Sequence, residues 1–160
     1  MIDEIDRSIL SILQGSARTS NADIARQIGM APSAILDRIR KLEAKGILRG
    51  YEARVDPNTL GLGLLAYVFV RTEERVGSFE IGERLAKMPE VQEVHHVAGE
   101  DCYLVKVRVE GTGALGRLLR DGFGTLEGVR NTRTTIVLNT VKESALLPIE
   151  GAAEAASAHD

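Results

Sequence analysis

The chain has 160 residues, a formal net charge of −3 and 4% aromatic residues, with one cysteine and no tryptophan. Cys102 has no second cysteine to pair with, which excludes an internal disulfide and fits a reducing cytoplasm; scarce aromatics argue against a stacking platform for single-stranded nucleic acid. No apolar run approaches the roughly 20 residues a membrane span needs, and no signal peptide is expected before the first helix.

In chain order, Ile2 to Gln14 reads as a helix with Ile2, Ile5, Ile9, Ile12 and Leu13 on one side. Ser20 is a good N-cap for a second helix, with Asp23 three residues on in a near capping-box arrangement. Ile24, Ala25 and Ile28 supply its apolar face and Gly29 ends it. A tight Gly29-Met30-Ala31 turn leads to a third helix over Pro32 to Lys45. Pro32 suits the first helical position, where its missing N–H would have been unpaired anyway, and Gly46 is the stop. Ile35, Ile39 and Leu42 form the buried stripe; Ser33, Asp37, Arg40 and Ala44 lie opposite, flanked by Leu36, Arg38 and Lys41. Two helices about a tight turn are the plan of a helix-turn-helix, in which the second enters the major groove of duplex DNA. The other reading is an amphipathic surface helix with a solvated polar face.

Charge supports the DNA reading once it is localised. The first 50 residues hold eight Lys and Arg against six Asp and Glu, a net of +2, whereas the remainder, twelve against seventeen, is at −5. Between Arg38 and Arg49, Arg38, Arg40, Lys41, Lys45 and Arg49 face one acid, Glu43, and a local cluster is what phosphate contacts require. Arg38, Arg40, Lys41 and Lys45 are expected on phosphates or guanines, with Ser33, Leu36 and Asp37 at base edges. Asp37 also repels phosphate, so its contribution is to specificity rather than affinity.

Beyond residue 50 the period becomes strand-like. Tyr51 to Val55 reads as a short extended piece closed by an Asp56-Pro57-Asn58 turn, taken as the hinge. Strands are expected at Leu64 to Thr72, Val91 to Ala98, Cys102 to Val109 and Val129 to Val141. Helices are expected at Val76 to Met88, with Phe79, Ile81 and Leu85 inward, and at Thr112 to about Gly124, with Leu115, Leu118 and Leu119 inward. Gly99-Glu100-Asp101 joins the two central strands as a hairpin, and its plain reading is a turn. The order β-α-β-β-α-β is ferredoxin-like. Both helices on one sheet face leave the other uncovered, which predicts a homodimer. His95 and His96 alternate in a strand and cannot chelate together; with no metal-ligand spacing or phosphate loop, no cofactor or metal is expected.

The residues then carry a resemblance to the Lrp/AsnC, or feast/famine, family of bacterial and archaeal regulators. It runs from Ile2-Asp3-Glu4-Ile5-Asp6-Arg7 through the Ala31 to Gly46 helix and Gly50-Tyr51-Glu52-Ala53. It continues with Pro89-Glu90-Val91, Val97-Ala98-Gly99-Glu100, Gly128-Val129 and Thr132-Arg133-Thr134-Thr135-Ile136-Val137, and stops near Ile149. It implies an α+β chain: a winged helix-turn-helix reader over residues 1–50, a linker over 51–62, a RAM/ACT-like βαββαβ sensor over 63–143 and a tail over 144–160. It further implies dimers assembling to octamers, and an amino-acid effector held near Gly99, Glu100, Asp101, Cys102, Tyr103, Thr132 and Thr134, between dimers. Two positions depart from the pattern. Ala31 replaces a usual Ser, removing a capping oxygen worth about 1 kcal/mol. Cys102 stands where the family favours an Asp that helps hold the effector's amino group, with Asp101 adjacent.

Two rival readings follow from the same architecture. One is a sirohaem-type tetrapyrrole decarboxylase with His95 or His96 as proton donor, which the basic third helix and the few aromatics oppose. The other is an architectural DNA-binding protein without an effector. The expectation is a regulator with no catalytic residues.

Overall fold

The structure, a computed structural model, describes residues 2–75 and 77–149. Val76 and the alanine-rich tail from 150 onward, which the sequence reading included in a helix and a C-terminal segment, lie outside the described residues. The chain divides into two compact units, one running to Arg54 and taking in the segment from Glu143, the other Val55–Lys142.

The first unit is built on α1 (Glu4–Gly15), α2 (Asn21–Ile28) and α3 (Pro32–Ala44). Helix α1 begins two residues later than the apolar pattern suggests, because Asp3 caps it: its carboxylate accepts the Asp6 N–H at 2.8 Å while Asp6 accepts the Asp3 N–H at 3.3 Å. That reciprocal box uses Asp at the third position instead of the usual Glu or Gln, so the pattern hid it. Ser20 caps α2 through the Asp23 N–H, and its hydroxyl donates to the Asp23 carboxylate. Gly29, at φ +80°, turns the chain so that the Met30 N–H reaches the Ala25 carbonyl at 2.9 Å, a left-handed geometry that a Cβ would strain. Ile9, Leu13, Ile24, Ala25, Ile35, Ile39 and Leu42 close one core. On its surface, the Gln14 amide holds the Leu147 backbone at both ends, accepting its N–H at 2.8 Å and donating to its carbonyl at 3.0 Å.

The second unit holds β1 (Leu64–Thr72), α4 (Glu80–Leu85), β2 (Val91–His96), β3 (Tyr103–Val109), α5 (Thr112–Arg117) and β4 (Val129–Ile136). The sheet order is β2-β3-β1-β4 and every neighbouring pair is antiparallel, the ferredoxin-like arrangement. Ala66, Val68 and Val70 pair with Val107, Val105 and Tyr103 and pack with Ile81, Leu85, Leu115, Leu118 and Phe123 in a separate core. Alternation puts Leu65, Tyr67, Phe69, Leu104 and Lys106 on the opposite face.

Five elements of this unit are shorter than the sequence pattern suggests. Helix α4 spans only Glu80–Leu85: Gly77 takes φ +88° before it, and the last N–H groups, of Lys87 and Met88, bond three residues back to Arg84 and Leu85 ahead of Pro89. Phe79, expected inward, is 51% exposed ahead of that helix. Helix α5 stops at Arg117 and continues as a π turn (Leu118–Gly122) and a 3₁₀ turn (Phe123–Thr125), which bring Phe123 fully into the core. Gly113, Gly116, Gly122 and Gly124 dilute helix propensity throughout this stretch. Strand β4 ends at Ile136, since β1 starts at Leu64 and the Val137 N–H to the Leu65 carbonyl is the ladder's last bond. The hairpin is wider than three residues: β2 ends at His96 rather than Ala98 and β3 begins at Tyr103 rather than Cys102, with the Val97 N–H closing onto the Cys102 carbonyl at 2.9 Å.

Candidate nucleic-acid interface and effector loop

Helix α3 presents its polar side to solvent because Ile35, Ile39 and Leu42 are drawn into the core of the first unit. Ser33, Asp37, Arg40, Lys41 and Lys45 are exposed, and Leu36 is half-buried. Among the described residues Arg40, Lys41 and Lys45 have no carboxylate partner. Lys41 and Lys45 border a groove of about 390 Å³ that also includes Ile2, Asp6, Met30 and Asp37. Arg38 is placed differently. Its Nη1 donates to Asp3 at 2.7 Å and to Asp6 at 2.8 Å, and its side chain is 27% exposed. The Asp6 N–H and then the Arg38 guanidinium hold the Asp3 carboxyl below its usual value, and those two aspartates raise Arg38 in return. Arg38 therefore ties α3 to the cap of α1. The sequence signal was there, since Asp3 and Asp6 are two acids beside a cation-rich helix, but only tertiary contact pairs them.

The C-terminal end of α3 is closed by a double bond pattern. The Gly46 N–H reaches the Glu43 carbonyl and the Ile47 N–H the Leu42 carbonyl, both at 2.9 Å, leaving fewer carbonyls unpaired at the end that carries Lys45. Ala31 supplies no side-chain cap at the other end.

In the second unit the sequence-expected effector residues separate into two groups. Gly99 and Glu100 are exposed in the loop, and Asp101 and Cys102 are half-buried. Tyr103, by contrast, is 2% exposed and points into the core, its hydroxyl donating to Glu74 at 2.8 Å. Thr132 and Thr134, on edge strand β4, sit opposite Val70 and Val68, so they share the helix-covered face with Tyr103. The loop carboxylates turn to the other face. Arg133 Nη2 donates to Asp101 at 3.0 Å, and Arg71 lies 3.8 Å from Glu100. Arg133 is also stacked 4.0 Å from the centre of the Phe69 ring. Arg71, Arg133 and Phe69 were missed because the reading followed the threonines; strand alternation places Arg133 between them, on the opposite face.

Glu74, also missed, organises the buried side. Its carboxylate accepts the Ile81 N–H at 3.0 Å and the Ser78 hydroxyl at 3.2 Å, which caps α4, and it accepts Tyr103 as well. Burial pushes this carboxyl up, but the Ile81 N–H and the Tyr103, Ser78 and Thr72 hydroxyls outweigh it, and it lies below its ordinary value. Burial and then the Glu74 charge push the Tyr103 phenol up to about 12. Gly82 lets α4 approach this ring, since a Cβ there would stand 2.6 Å from Tyr103 Cε1.

His95 and His96 point to opposite faces as expected. His95 bonds Glu93 at 3.0 Å, whereas His96 lies edge-on between Phe79 and Tyr103. Among the described residues, no group of three His, Cys, Asp or Glu side chains is placed to hold a metal ion. Nor is any helix long and apolar enough to cross a membrane.

Comparison with known proteins bears on both units. Residues 2–49 match a winged helix-turn-helix DNA-binding family, and residues 65–147 match the Lrp/AsnC ligand binding domain. The chain is 38% identical over 150 residues to the HTH-type transcriptional regulator FL11 of Pyrococcus horikoshii, covering 93% of this chain and 97% of that protein. It is 38% identical over 153 residues to the leucine-responsive regulatory protein of Escherichia coli, covering 93% and 92%. Among solved structures, the feast or famine regulatory protein of M. tuberculosis complexed with L-methionine superposes with a TM-score of 0.84 at 34% identity, covering 92% of this chain and 99% of that one.

Proposed function

The chain belongs to the Lrp/AsnC family of transcriptional regulators, and on that premise we propose that residues 1–50 read duplex DNA through α3 while residues 63–143 bind a free amino acid that biases assembly. The observation that carries the reading is that Arg40, Lys41 and Lys45, exposed on α3 away from its buried stripe, have no carboxylate partner among the described residues. Unpaired exposed charge costs the fold little and is available to a polyanion. Arg40 contacts a phosphate or a guanine, Lys41 and Lys45 contact phosphates, and Ser33, Leu36 and Asp37 meet base edges, where Asp37 accepts from a cytosine amine. Arg38 contributes by fixing the orientation of α3.

A second copy of the chain covers the helix-free sheet face bearing Leu65, Tyr67, Phe69 and Leu104. Two α3 helices then meet a pseudo-palindrome, with half-sites about one helical turn or a multiple apart. Dimers assemble further, to octamers, and the effector acts at the Gly99–Asp101 loop. L-Methionine is bound by the M. tuberculosis neighbour, and the Escherichia coli relative is named for leucine. An amino acid with unequal affinity for two assembly states shifts the balance between them, and with it the DNA affinity. The protein acts in the cytoplasm and carries out no catalytic step.

The decisive experiment is a DNA titration of the parent and Arg40→Ala over several salt concentrations. We expect weaker binding and a salt slope reduced by about 1 in magnitude, as loss of one phosphate contact requires. Equal affinity and slope in both proteins would remove α3 from the interface.

A further inference from the structure

The chain leaves the first unit after Arg54 and returns to it at Glu143, and these two points are tied to each other. Arg54 Nη2 donates to the Glu143 carbonyl at 2.9 Å. Further along the returning segment, the Gln14 side-chain amide pairs with the Leu147 backbone as a neighbouring strand would, through both its N–H and its carbonyl. On the outgoing side, the Tyr51 hydroxyl donates to Glu43 of α3 at 2.9 Å. Residues 143–147 are therefore a strap. It meets α1 through Gln14 and the outgoing linker through Arg54, and that linker is itself fastened to α3.

Hydrogen bonds hold the strap, with little apolar burial behind them. Leu146 is 57% exposed and Leu147 72%, so docking removes little of either side chain from water. The Gln14 and Arg54 bonds are all exposed, where water competes for both partners and the net gain from each is small. A segment with few buried contacts opens locally at a fraction of the free energy of global unfolding. Docked and released forms of the strap are then close in free energy, and a small bias shifts the balance between them.

We propose that residues 143–147 are a releasable strap that positions the reader, with Gln14 as its latch. Docked, it gives the first unit two attachments to the rest of the chain, the linker after Arg54 and the strap at Gln14. Released, it leaves that unit on the linker alone. Binding of one α3 to one half-site is indifferent to this difference. Engagement of two half-sites by a dimer is not, because the second contact is intramolecular and its effective concentration falls as the geometry loosens. Gln14 is a positioning residue: it acts through α1 and touches no DNA. The proposal rests on the reading of α3 and of the dimer given above, and adds what sets how the two readers are held.

A duplex with two half-sites is selected on the parent from a random-sequence pool. From it are made a single half-site duplex and a full site with one base pair added between the halves. The full chain and Gln14→Ala, a substitution that α1 accepts because alanine favours a helix, are titrated against all three. Exchange of the Leu147 amide is followed by NMR. The two proteins are expected to bind the half-site alike, with Gln14→Ala about three- to tenfold weaker on the full site. The added base pair should penalise the parent more than the variant. In the parent the Leu147 amide should exchange by local opening, well below the free energy of global unfolding, and in the variant faster still. Equal affinity for the full site, an equal loss on half-site and full site, or a Leu147 amide that exchanges only through global unfolding would each overturn the strap and leave the DNA reading intact. A parent that selects no duplex with two half-sites would overturn the reading beneath it.

Discussion

Positive charge is used in opposite ways in the two units. On α3, Arg40, Lys41 and Lys45 stand in solvent without carboxylate partners among the described residues. Around the sensor loop the arginines are matched: Arg133 with Asp101, Arg71 with Glu100 and Arg130 with Glu73. An unmatched cation attracts any polyanion and gains by releasing the counterions condensed on it. A matched cation rejects a simple anion, because taking it strands the original carboxylate. The contrast teaches that sign alone does not mark a nucleic-acid surface; pairing does. Arg38 shows this within a single helix, since it lies two residues from Arg40 but is committed to Asp3 and Asp6.

The largest effect should come from removing the unmatched set. Combining Arg40→Ala, Lys41→Ala and Lys45→Ala is expected to weaken DNA binding roughly 100-fold at low salt and to lower the salt slope by about 2–3, with melting nearly unchanged. Retained binding would break the contrast at its root. Next comes the half-buried acid of the second unit. Glu74→Gln leaves the α4 cap and Tyr103 with a weaker acceptor and should cost about 1–3 kcal/mol in denaturant unfolding. Because the Glu74 carboxyl lies below its ordinary value of 4.5 in the folded chain, its contribution is present above that value and is lost as pH falls through the depressed one. The gap between parent and variant should therefore close on acidification, and a gap that persists would mean packing, not charge, is at stake.

Smaller effects sharpen the distinction inside the reader. Ala31→Ser restores an acceptor at the extended N-cap of α3 and should raise stability by about 1 kcal/mol, read as an upward shift in melting. Arg38→Ala should lower stability only slightly, read as a small downward shift in melting, since its partners remain hydrated, and should change the salt slope less than Arg40→Ala does. A larger slope change in Arg38→Ala would reverse the two assignments.

Much of this was legible in the residues. Ile35, Ile39 and Leu42 fix the buried side of α3, and Gly29 and Pro32 fix where one helix ends and the next begins. The first strand was found to the residue, because an unbroken apolar run from Leu64 to Val70 carries the β-branched and aromatic Tyr67, Val68, Phe69 and Val70 and closes on Thr72. The errors cluster where local pattern has no access to the partner strand or to a remote cap. Strand β4 ends where its ladder with β1 ends, at the Val137 N–H on the Leu65 carbonyl, and α4 is short where Gly77 and the Glu74 carboxylate set its start. The α5 region read as one helix, because nothing local announces a π turn that carries Phe123 inward.

What the sequence determined alone is whatever depends on neighbours within about four positions: helix faces, caps, turns, strand alternation and the order of the elements. From these came the two-domain plan and the basic helix. The tertiary structure decided which charges meet, because ion pairs join residues far apart in the chain, as Arg38 joins Asp3 and Asp6 and Arg133 joins Asp101. It also decided that Tyr103 belongs to the core and the loop acids to the opposite face. Period-two alternation says that neighbouring side chains diverge, but only the packed helices say which side is inside.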